Sequence, residues 1–114
     1  MAMKIIFMGT PNFAVPILKR LSSKFEIIAA YTQPPKKKSR GQKIIKSAIH
    51  EEAEGLGIPV RFPENLNDEI EYKFIKESKV KFVIVVAYGK IIPEKFLKTK
   101  DTVFLNIHAS LLPR

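Results

Sequence analysis

Six consecutive apolar residues, Phe82-Val83-Ile84-Val85-Val86-Ala87, constrain this chain more than any other feature of its sequence. Successive side chains of a strand point to opposite faces, so a strand with one wet face alternates apolar and polar residues. A strand without that alternation needs cover on both sides, which is the situation inside a parallel sheet sandwiched by helices. Tyr88-Gly89 closes the run.

The rest of the chain supplies the cover. Ile5-Ile6-Phe7-Met8 reads as a first strand emptying into the turn Gly9-Thr10-Pro11-Asn12. Phe13, Ile17 and Leu21, with Ala14 and Leu18 in the same stripe, predict a helix to about Ser22. Asn12 is the expected N-cap, which puts Pro16 in the first turn where proline is tolerated. Phe25 to Thr32 is rich enough in β-branched and aromatic residues for a second strand. Ser47 is the expected cap of a helix that buries Ile49, Ala53 and Leu56 and stops at Gly57. Ile58 to Phe62 predicts a short third strand, held to an edge or a strand start by Pro59. Asn67 is the expected cap of a third helix burying Ile70 and Phe74, a short helix begins near Pro93, and Val103 to Ile107 is a fifth strand.

Strands and helices in alternation predict an α/β fold: a doubly wound, Rossmann-like parallel sheet with right-handed crossovers and strand order 3-2-1-4-5. At 114 residues the chain fits a single domain. In that order the direction of winding reverses between strands one and four, and ligands bind beyond the carboxyl ends of strands at such a point. Gly9-Thr10-Pro11, Tyr88-Gly89 and the end of strand five would gather there.

The formal net charge of +9 is concentrated rather than spread. Lys36, Lys37, Lys38, Arg40, Lys43 and Lys46 occur with no acid among them, which reads either as a phosphate-facing patch or as a solvated lysine loop. Cysteine is absent, which excludes disulfides, thiolate catalysis and thiolate metal sites, and His50 and His108 lie too far apart in sequence to suggest zinc. No metal site is expected. No apolar run approaches the ~18 residues of a membrane span, so a cytoplasmic protein is the expectation.

Three short motifs carry the chemistry. Gly9-Thr10-Pro11 occupies the place of a dinucleotide-binding turn but lacks the G-x-G-x-x-G spacing, and its proline removes an N–H that a phosphate would use, so a nicotinamide cofactor is disfavoured. Ala87-Tyr88-Gly89 either exposes backbone to a flat ligand or merely turns the chain. Asn106 and His108 lie two apart on a strand and so share a face, an amide donor beside a titratable base; the alternative is a pair of structural polar residues.

Taken together these motifs resemble the methionyl-tRNA formyltransferase family. Phe7 to Ala14 is similar to its F-x-G-T-P-x-F-A, Thr32-Gln33-Pro34 and Arg40-Gly41 to its T-Q-P and R-G loop, Val85 to Pro93 to its V-V-A-Y-G-x-I-L-P, and Asn106 to Arg114 to its N-x-H-x-S-L-L-P-R. The resemblance implies transfer of the formyl group of 10-formyltetrahydrofolate, a co-substrate, to the amine of initiator methionyl-tRNA. It implies Asn106 and His108 as catalytic residues and Ala87, Tyr88, Gly89, Ser110, Leu111, Leu112 and Pro113 as the folate border. Phe13 would lie near the methionyl end, and Lys36, Lys37, Lys38, Arg40 and Lys43 near tRNA phosphates. The lysine block departs from the family's Q-P-D-R-P-A-G-R-G: a guanidinium contact at Lys36 is lost, while positive charge is kept.

The family continues beyond the residue matching Arg114, through later strands, a catalytic Asp and a C-terminal β-barrel that helps hold tRNA. The chain is therefore expected to be the N-terminal portion of a catalytic domain, with little activity alone. Asp101 precedes strand five and is a poor substitute for the missing carboxylate. An uncovered sheet edge makes self-association plausible. Two other readings stay open: a folate-dependent formyltransferase or formyl hydrolase acting on a small molecule, and a non-catalytic basic RNA-binding α/β fragment.

Overall fold

The computed structural model describes residues 2–37 and 43–108. The apolar run forms β6 (Phe82–Val86), and it sits inside a five-stranded parallel sheet with β1 (Lys4–Gly9), β2 (Glu26–Tyr31), β5 (Val60–Arg61) and β7 (Val103–Asn106). Their order is β5-β2-β1-β6-β7. Counted among themselves these five strands follow the expected succession, but the strand order over the whole chain differs in detail. Two short strands, β3 (Lys36–Lys37) and β4 (Ile44–Ile45), intervene and pair antiparallel in a separate hairpin built from the lysine block.

Alternation along the central strands divides the core into two layers. Ile5 and Phe7 of β1 and Ile84 and Val86 of β6 pack with Leu18 of α1 (Val15–Ser22) and with Ile49 and Ala53 of α2 (Ala48–Gly55). Ile6, Met8, Val83 and Val85 face the other way, onto Ile75 of α3 (Glu69–Ser78) and Phe96 of α4 (Glu94–Leu97). Both faces are covered, which is why β6 carries no polar residue. The register of β1 on β2 slips between Ile5 and Ile6, which pair with Ile27 and Ala29, leaving Ile28 as an inserted residue.

Several local expectations are corrected. The segment Asn12–Ala14 is a 3-10 turn capped by Pro11, not an α-helix capped by Asn12, and Pro16 falls in the first turn of α1. Asp68, not Asn67, caps α3, its carboxylate accepting from the Ile70 N–H at 2.8 Å. Ile70 is 65% exposed, and Glu71 and Ile75 are buried instead. Glu71 is tolerated there because it accepts from the Tyr31 hydroxyl at 2.6 Å and from Arg61 Nε at 2.8 Å. Leu56 is exposed rather than buried. Ser47 does cap α2, accepting from the His50 N–H at 3.0 Å, and Gly57 follows that helix with φ +74°.

Candidate active site

β1, β2, β6 and β7 run parallel, so their carboxyl ends open on one side of the sheet. A cavity of about 670 Å³ lies there, lined by Phe13, by the Ala87-to-Lys90 turn, by Ile92 and Leu97, and by Phe104, Asn106 and His108. Phe104, Asn106 and His108 alternate along β7 and its continuation. Asn106 stands opposite Val85, and the Ile107 N–H donates to the Val85 carbonyl at 2.8 Å, keeping the chain extended past the strand end. Asn106 and His108 are both exposed, so neither is a polar residue trapped in the core. They project an amide and an imidazole into one open volume, with α-carbons roughly 7 Å apart for an extended chain.

The turn after β6 has unusual backbone. Ala87 and Gly89 have φ of 51° and 82°; both are exposed and border the cavity, while Tyr88 between them is buried. Burial of that ring, with a smaller contribution from the Glu71 charge, raises the Tyr88 phenol above its ordinary range. It is therefore neutral at physiological pH and its hydroxyl has no hydrogen-bond partner among the described residues. The buried ring anchors the turn, and Ala87 and Gly89 are its exposed residues.

A second cavity, of about 460 Å³, lies beside the hairpin and is lined by Thr10, Asn12, Gln33, Lys36, Lys37 and Lys46, among others. Between the two cavities runs a polar knot. Thr10 Oγ1 donates to the Tyr88 carbonyl at 2.7 Å and accepts from the Gln33 N–H at 3.3 Å. Gln33 Nε2 donates to the same carbonyl at 3.3 Å, and the Thr32 and Ser47 hydroxyls bond to each other. Sequence reasoning gave Thr10 and Gln33 no role. The signal available was the pair of polar residues directly after two apolar strands, at the end of the sheet where ligands bind.

The first cavity thus brings Asn106, His108, Ala87, Tyr88, Gly89 and Phe13 together, and the second brings Lys36 and Lys37 together. Lys43 is exposed and lines neither. Lys38, Arg40 and the segment Ser110, Leu111, Leu112 and Pro113 lie outside the described residues. Asp101 sits before β7, roughly 20 Å along the extended chain from His108. Among the described residues no cluster of His, Asp or Glu is placed to hold a metal, and no helix is long and apolar enough to cross a membrane.

A parallel, doubly wound sheet whose strand ends open on a cavity lined by Asn106 and His108 defines a Rossmann-like α/β fold with a candidate site at its switch point. The sequence profile of the family described as Formyl transferase matches residues 3–114, and the chain belongs to that family. It is 55% identical over 116 residues to a methionyl-tRNA formyltransferase from Pelagibacter ubique, covering 100% of this chain and 37% of that protein. A methionyl-tRNA formyltransferase from Paracoccus denitrificans is 45% identical over 112 residues, covering 98% and 38%, and one from Rickettsia bellii is 49% identical over 113 residues, covering 98% and 37%. The chain therefore spans little more than a third of the length of these curated relatives. The fold is also that of a phosphoribosylglycinamide formyltransferase from Anaplasma phagocytophilum, with a TM-score of 0.64 at 19% identity over 95% of this chain and 50% of that one.

Proposed function

We propose that this chain forms the N-terminal portion of the catalytic domain of an enzyme that transfers the formyl group of 10-formyltetrahydrofolate to the amino group of initiator methionyl-tRNA. The observation that carries the reading is the convergence of Asn106 and His108 on the cavity bordered by Ala87, Tyr88 and Gly89. The relatives of similar sequence bear the name of that enzyme.

In this reading the methionyl amine attacks the formyl carbon, forming a C–N bond and a tetrahedral oxyanion. Collapse of that intermediate breaks the bond to the folate nitrogen, which leaves with a proton while the amine loses one. The Asn106 amide donates to the oxygen as negative charge develops, an interaction that favours the transition state over the ground state. The His108 imidazole accepts the amine proton and passes it on. Ala87, Tyr88 and Gly89, joined by Ser110 to Pro113, border the folate, and Phe13 abuts the methionyl end. Lys36, Lys37, Lys38, Arg40 and Lys43 attract the phosphates of the acceptor stem. Among the described residues no carboxylate bonds to His108, and the 114-residue chain by itself is expected to show little or no transfer.

The test is formyl transfer to charged initiator tRNA by the full-length protein, wild type against Asn106→Ala. A kcat loss of about 10²–10³-fold is expected for removal of one oxyanion donor. Wild-type turnover on a small amine with none on methionyl-tRNA, or wild-type kcat in the variant, would overturn the assignment.

A further inference from the structure

We propose that Thr10 and Gln33 are positioning residues: they set the orientation of the Tyr88–Gly89 peptide at the rim of the Asn106–His108 cavity, so that formyl-donor binding depends on two side chains outside that cavity. The inference rests on the formyl-transfer reading above.

The cavity wall after β6 is not self-supporting. Ala87 occupies the left-handed region, which is disfavoured for a residue with a β-carbon and is normally held by external contacts, while Gly89 takes the same region freely. Those contacts converge on one atom. The Tyr88 carbonyl accepts from Thr10 Oγ1 at 2.7 Å and from Gln33 Nε2 at 3.3 Å, which occupies both of its lone pairs. Thr10 and Gln33 line the basic cavity and not the one that holds Asn106.

The polarity of this tie is fixed. Thr10 Oγ1 already accepts the Gln33 N–H at 3.3 Å and faces the Thr32 hydroxyl at 3.5 Å, so its own proton is directed at Tyr88. A trans peptide holds its C=O and the following N–H antiparallel. With the Tyr88 carbonyl held toward Thr10 and Gln33, the Gly89 N–H points away from them, and it makes no hydrogen bond among the described residues. The arrangement leaves an oriented main-chain donor for an acceptor atom on the formyl donor. Gln33 also fills the space against Gly89, so the side chain that bonds the carbonyl packs on the residue whose N–H it orients.

The test uses the full-length protein with Thr10→Val, which keeps the shape and removes the hydroxyl, Thr10→Ser, which restores it, and Gln33→Glu, which removes the amide donor. Loss of one neutral hydrogen bond predicts a five- to tenfold rise, on the order of magnitude, in KM for the formyl donor in Thr10→Val and Gln33→Glu. The KM for the amine acceptor, kcat and the melting temperature should change little, and Thr10→Ser should stay within about twofold of wild type. The backbone amide resonance of Gly89 should move in Thr10→Val and return in Thr10→Ser. An unchanged donor KM in both Thr10→Val and Gln33→Glu overturns the proposal, as does an equal rise in Thr10→Ser or a loss that follows melting temperature alone. A wild-type protein without formyl transfer overturns the functional reading instead. The Gly89 resonance then judges the tie by itself, an unmoved signal in Thr10→Val overturning it.

Discussion

Gly9 of β1 stands in register with Val86 of β6, and a β-carbon on Gly9 would lie 2.8 Å from the Val86 carbonyl oxygen and 2.8 Å from Phe7 Cε2. The oxygen belongs to the central ladder and cannot retreat without parting the two strands. Gly9→Ala is expected to destabilise the fold by about 1–3 kcal/mol, the range for overpacking a close-packed interior. A urea unfolding midpoint at or above wild type would contradict this.

Glu71 serves two donors from different strands, Tyr31 of β2 and Arg61 of β5, and Arg61 also lies 4.0 Å over the Phe74 ring. Glu71→Ala strands both donors. With Arg61 still 30% exposed and partly hydrated, a loss of about 2–3 kcal/mol is expected, below that of a fully buried pair. Glu71→Gln keeps an acceptor and should cost less. Denaturant titration of the two variants gives the order.

Tyr31 and Tyr88 both have phenols pushed upward, Tyr31 by burial and then by its bond to Glu71, Tyr88 by burial and then by the Glu71 charge. A raised folded pKa means that the folded state keeps a proton that the unfolded chain releases near pH ~10. Stability from these groups is thus full below that pH and falls as pH rises through it. Melting temperature should be level to about pH 9 and then drop. The drop should be shallower in Tyr31→Phe, and an equally steep drop there would remove Tyr31 from the account.

Lys36 and Lys37 line the basic cavity and sit on β3 opposite Ile45 and Ile44. If they neutralise phosphates, replacing each with Gln should lower the slope of log affinity against log salt by about 0.7–0.9. RNA binding by the full-length protein across a salt series measures it. An unchanged slope would make them solvated surface.

Among the described residues β7 is an outer strand of the sheet, and its Val103 and Leu105 are exposed. The isolated 114-residue chain is expected to self-associate through this edge, in a manner that Leu105→Lys weakens. Sedimentation over a range of concentrations decides it, a monomer throughout being the contrary result.

The sheet, and the placing of Asn106 and His108 on one cavity, were largely legible in the sequence because they depend on local signals. An unbroken apolar run needs two covers whatever lies around it, and Asn106 and His108 share a face by the period of a strand. What escaped depends on distant partners. Nothing near Glu71 in sequence announces that Tyr31 and Arg61 will come to it, so the helical stripe pointed to Ile70. Asn12 and Asn67 are good caps in isolation, yet Pro11 precedes the 3-10 turn and Asp68, an equally good cap one residue on, takes the Ile70 N–H. The β3–β4 hairpin has two residues per strand, too few for any period to show. Thr10 and Gln33 meet at one carbonyl only after three separate loops have folded together.

The slip at Ile28 reaches further than its size implies. Ile28 and Ala29 are consecutive yet both pack on the α3 and α4 layer, so every later residue of β2 is out of phase with the start of the strand. Parity is thereby inverted halfway along one strand. Tyr31 reaches Glu71 on one side, and Thr32 meets Ser47 and Thr10 on the other, only because of that inversion. Pairing Ile28 with Ile6 in an unbulged strand would shift the register by one and exchange the destinations of those two side chains, turning a phenol toward the hydroxyl cluster and a hydroxyl toward the carboxylate, whereas deleting Ile28 would leave Ala29 on Ile6 and Tyr31 on Met8. One residue at the middle of the sheet thus acts as a phase setting for polar contacts made at its far end.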